Sequence, residues 1–104
     1  MACAITIEHD RHTDMAFVIL CEPEPGATID TIPIGEFVGF PGLITARVSY
    51  DRETLYGLNI ENFTLFKRKL FWQHHMFSLQ KAIQLIVCAV KAGITIEHKR
   101  PAYA

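Results

Sequence analysis

Residues Asn62 to Gly93, NFTLFKRKLFWQHHMFSLQKAIQLIVCAVKAG, constrain this chain more than any other stretch. Leu65, Trp72, Met76, Leu79, Ile83, Ile86 and Val90 follow one another at spacings of seven, four, three, four, three and four, which keeps them on one side of a helical cylinder. Only Lys69 interrupts that seam. Burying most of these side chains contributes on the order of 10–20 kcal/mol before ordering entropy is subtracted. The seam is therefore the expected main wall of a small core. Asn62 is placed to cap the helix and Gly93 to close it in the left-handed conformation. A competing reading breaks the helix at Ser78, which then caps a shorter helix from Leu79 to Ala92, and makes Phe63 to Trp72 a strand. The unbroken helix is favoured, because a strand puts Lys67 and Lys69 on the same face as Phe63, Leu65 and Phe71.

The sequence before this helix reads as strands. Cys3 to His9 alternates, with Ile5, Ile7 and His9 on one face and Thr6 and Glu8 on the other. A polar turn from Asp10 to Asp14 joins it to the apolar run Met15 to Cys21, short enough to be a strand covered on both faces or edged against the helix. Glu22-Pro23-Glu24-Pro25-Gly26 then ends the pairing, since proline donates no ladder hydrogen bond. Ala27 to Gly42 is expected to hold a short strand or an irregular covering segment. Leu43 to Tyr50 alternates cleanly, and Asp51-Arg52-Glu53 turns it into Thr54 to Ile60 as a second hairpin. After the helix, GITIEHKR at 93–100 echoes AITIEHDR at 4–11, matching at six of eight positions. A final strand lying beside or near the first is expected there.

At 104 residues this makes a single α+β domain: an antiparallel-rich sheet packed against one long helix in the C-terminal half, followed by that final strand. A net charge near −1 gives no global attraction to nucleic acid or acidic membranes, so either partner needs a local patch. Cys3, Cys21 and Cys88 form no CxxC pair and read as reduced thiols, pointing to a cytoplasmic location. No targeting segment is visible, and no apolar run reaches the eighteen or so residues of a membrane span.

Candidate chemistry is sparse. Parallel pairing of the two ITIEH strands sets His9 beside His98, where His12 or Glu8 completes a metal site in a small metal-binding protein or enzyme; antiparallel pairing separates them. His74 and His75 diverge by about 100° on a helix and do not chelate one ion. Neither Ser49 nor Ser78 sits in a Gly-x-Ser-x-Gly turn, and Gly35, Gly39 and Gly42 lack the Lys and Ser/Thr of a phosphate loop. The expectation is a protein without catalysis or cofactor.

What remains is the second apolar stripe of the helix, Phe66, Leu70 and Phe77, with Phe71 on yet another side. Either the segment around Phe37 and Phe40 covers it, or it docks a partner. The expected function is a protein-binding module of the inhibitor, adaptor, immunity or phage-encoded type, also self-associating as a homodimer. Phe66, Leu70, Phe77, Phe71 and His74 make the contact, and Lys67, Arg68 and Lys69 steer an acidic partner. The alternative is single-stranded nucleic-acid binding, the same three cations meeting phosphate while Phe66, Phe71 and Trp72 stack on bases.

Overall fold

The computed structural model describes residues 5–75 and 78–99, with side chains to residue 93. Five strands, β1 (Thr6–Asp10), β2 (Met15–Ile19), β3 (Ile29–Pro33), β4 (Ile44–Ser49) and β5 (Leu55–Ile60), form one sheet in the order β1-β2-β5-β4-β3. All neighbours are antiparallel. Both expected hairpins are present, and the segment 27–42 supplies both a strand and a cover. It holds β3 and then a four-residue helix, α1 (Gly35–Val38).

The sheet is covered on one face. Ala16 and Val18, Leu58 and Ile60, and Ile44, Ala46 and Val48 alternate inward and are buried, as a half-buried antiparallel sheet requires. The run Met15–Ile19 is thus buried on one side only, not on both. On the other face Phe17, Asn59 and Thr45 form one row, and Ile19, Gly57, Arg47 and Thr31 the next. Gly57 is fixed by its neighbours: a Cβ there would lie 2.0 Å from the Val18 carbonyl oxygen and 2.5 Å from a guanidinium nitrogen of Arg47. That guanidinium donates across the strand to the Val18 carbonyl at 3.2 Å.

The long helix is two helices. α2 (Phe63–Trp72) starts at Asn62, whose side-chain oxygen accepts from the Leu65 N–H at 3.4 Å. It ends where His75 turns to φ 52°, and α3 (Leu79–Lys99) restarts with Ser78 accepting from the Lys81 N–H at 3.2 Å. The reason lies in the phases of the two apolar stripes. α2 buries Phe63, Phe66 and Leu70, whereas α3 buries Ala82, Ile83, Ile86, Val87 and Val90. On one unbroken helix at about 100° per residue these stripes would point roughly 160° apart, and one sheet could not bury both. The break turns the second stripe back onto the sheet. The expected seam therefore holds in α3 but not in α2, where Trp72 is 77 % exposed.

The final strand is also replaced. α3 runs through Gly93 to Lys99, so ITIEH is strand at its first occurrence and helix at its second. A capped helix extends without a new nucleation cost, and this outweighs the weak strand preference of the β-branched residues. Gly93 does not close the helix; it makes room for Phe37 of α1, whose ring atoms lie 3.3 Å from where a Cβ would stand.

Candidate functional site

The helical layer is held to the sheet at the start of α2. Asp14, at φ 53° in the β1–β2 turn, accepts from the Phe63 N–H through its carbonyl at 2.8 Å and from the Thr64 N–H through its carboxylate at 3.1 Å. Its other carboxylate oxygen pairs with His9 Nε2 at 3.0 Å, and the His9 ring packs on Phe63 at 4.8 Å. The His9 hydrogen bond, helped by the Thr64 donors and opposed by partial desolvation, lowers the Asp14 carboxyl below its usual 3.8. A negative group at a helix N-terminus is also where the helix dipole favours it.

This arrangement decides the fate of the expected contact residues. Phe66 is fully buried and Leu70 is 3 % exposed, with Phe66 packed at a tilt against Phe40 at 4.7 Å and stacked on Phe63 at 6.1 Å. Both are buried in the core rather than forming an exposed stripe. The covering role expected of Phe40 is real, whereas Phe37 is 64 % exposed. Phe77 lies outside the described residues. Lys67 spreads over the Phe63 ring at 4.9 Å, Lys69 is half-buried, and Arg68 is exposed. His74 packs at a tilt against Phe40 at 4.8 Å, and Phe71 is partly exposed.

His74 also walls an apolar groove of about 220 Å³ between α1, the end of α2 and α3, with Val38, Phe40, Leu70, Leu85 and Ile86 as its other main walls. Leu85 stands 57 % exposed at its edge. Arg68 and Trp72 are one helical turn apart on α2, away from its buried stripe. Exposed Lys81 and Leu85 share a side of α3 at the same spacing. Sequence reasoning placed Trp72 in the core and did not single out Leu85. Their signal was the re-phasing of the stripes at Ser78.

A second feature was countable and was hidden by the near-zero total. Residues 1–61 hold ten Asp and Glu against three Arg, and residues 62–104 hold one Glu against seven Lys and Arg, a net of −7 against +6. From Asn62 to Ile96 there is no carboxylate at all. Among the described residues no acid pairs with Lys67, Arg68, Lys69 or Lys81. The helical layer is thus a cationic surface with apolar groups set into it, on a sheet whose turns are acidic.

The metal reading loses its geometry. Its paired ITIEH strands do not form, His9 is engaged by Asp14, and the His98 side chain lies outside the described residues. Among the described residues no three His, Cys, Asp or Glu side chains are grouped to hold an ion. Cys21 and Cys88 are free and exposed. No helix among the described residues is long and apolar enough to cross a membrane. The chain matches no family model, no curated protein and no solved structure.

Proposed function

We propose that the chain is a non-enzymatic protein-binding module of the inhibitor or adaptor type, and that its docking surface is the helical layer around the groove. The observation that carries this reading is the exposure of Leu85 at the edge of a groove whose floor is already apolar, with Trp72 held out of the core on the same helical layer. A rigid aromatic and an aliphatic side chain held out of the core are the residue types that anchor contacts. Arg68, Lys69 and Lys81 of the same helical layer favour an acidic partner and speed its approach. The test is a tagged pull-down from nuclease-treated lysate washed at high salt, with Trp72→Ala/Leu85→Asp as control. A stoichiometric protein held by the natural chain and lost from the folded double variant supports the reading. Equal retention by both refutes it.

The charge segregation favours one second reading, binding of single-stranded nucleic acid with Trp72 as the stacking platform. In that case a fluorescein-labelled oligothymidylate binds with a steep salt dependence and Trp72→Ala weakens it. No binding at low salt removes this alternative.

A further inference from the structure

The end of the sheet away from α1 carries the converse of the groove. Cys21 Sγ reaches the Leu55 carbonyl at 3.8 Å, Ile29 pairs with Ser49, and the Ser49 N–H donates to Thr54. These contacts bring the proline-rich loop and the β4–β5 turn to one place. Tyr50 projects from that turn, 76 % exposed, and Ile29 is 41 % exposed. Glu22, Glu24, Asp51 and Glu53 lie in the same two loops, and Arg52 is their only cation. An aromatic knob in an acidic setting thus sits on the same chain as an apolar groove between α1, which carries Glu36, and two helices whose charges are cationic.

The two cannot meet within one molecule. α1 and Phe40 follow Pro33, which pairs with Thr45 at the other end of the sheet, and strands of this length span roughly 17 Å. Nor do two helical layers suit each other face to face, because a two-fold contact would set cations against cations. A groove of about 220 Å³ is small for a cofactor, for which about 300 Å³ is a usual lower size, but suits a single anchoring side chain.

We propose that the groove receives Tyr50 of a second copy, so that copies join head to tail, the acidic loops of one lying against Arg68 and Lys81 of the next. This rests on the helical layer being a docking face and names its occupant. The contact is heterologous, so each open assembly keeps one free groove at one end and one free knob at the other unless a ring closes.

The test is sedimentation velocity on the full chain over a concentration series at low and high salt. The groove variant is Arg68→Glu/Lys81→Glu and the knob variant is Tyr50→Ala/Glu24→Lys, all at exposed positions. The natural chain associates as concentration rises, less so at high salt. Each variant alone associates at least about tenfold more weakly. An equimolar mixture forms a one-to-one dimer that grows no further, since it retains one intact groove and one intact knob. A natural chain monomeric throughout the low-salt series overturns the proposal, as does a mixture that stays monomeric. Labelled oligothymidylate bound by the knob variant but not by the groove variant, with no self-association, assigns the face to nucleic acid. A monomeric chain that still holds a foreign protein through Trp72 and Leu85 leaves the docking face standing and removes only its occupant.

Discussion

Phe66→Ala separates a core position from a contact position by magnitude alone. The side chain is fully buried between Phe40 and Phe63. Its truncation removes the transfer energy of the ring, two aromatic contacts and the packing that closes over the space. Buried Phe→Ala changes cost about 3–5 kcal/mol, and two lost ring pairs place this one near the upper half, about 4 kcal/mol. A chain of 104 residues has a total stability of about 5–15 kcal/mol, so the variant is left barely folded or unfolded. In urea, with a slope near 2 kcal/mol/M, the midpoint falls by roughly 2 M. The assay is urea unfolding followed by far-UV circular dichroism on the variant and the natural chain. A loss below about 1 kcal/mol at unchanged slope would refute the placement of Phe66, since exposed substitutions stay within roughly 0.5 kcal/mol.

Other expectations follow from the same contacts. Gly57→Ala forces a methyl against the Val18 carbonyl and Arg47 and costs about 3 kcal/mol or more, read as a lower thermal midpoint. Asn62, at φ 50°, both caps α2 and occupies left-handed backbone, so Asn62→Ala costs about 1–2 kcal/mol and Asn62→Gly only a few tenths. Asp14 has its folded-state pKa lowered below 3.8, so its contribution is present above that value and disappears as pH falls through the folded-state value. Asp14→Asn is accordingly less stable than the natural chain near neutrality, and the gap narrows in acid; pH-dependent denaturation of the two proteins measures it.

The parts of the fold set by local rules were readable beforehand. Period-two alternation in Leu43–Tyr50 and the Asp51-Arg52-Glu53 turn specified the β4–β5 hairpin, and Asn62 and Ser78 were both recognised as possible caps. What failed depended on tertiary phase. The spacing from Leu65 to Trp72 to Met76 fits a seam on paper. The sheet instead takes Phe63, Phe66 and Leu70, and the left-handed turn at His75 lets α3 choose its own face. ITIEH shows the same limit, since identical residues pair at an edge in β1 and continue an established helix in α3. At the candidate site, the sequence points to Lys67, Arg68, Lys69 and His74, places Trp72 in the core and gives no sign of Leu85, because exposure follows from that phase. The charge segregation needed no structure, only counting by segment.

Trp72 is the only tryptophan of the chain, which makes it a single-site reporter of the docking face. The most direct test is fluorine NMR on protein labelled with 5-fluorotryptophan, comparing the dilute monomer with the complex it forms, with another copy or with a captured protein. One resonance is expected, sensitive to a soluble paramagnetic quencher in the monomer and shifted, broadened and protected in the complex. A complex that forms while this resonance keeps its position and its full sensitivity to the quencher would show that partners dock elsewhere, and would contradict the assignment of the helical layer.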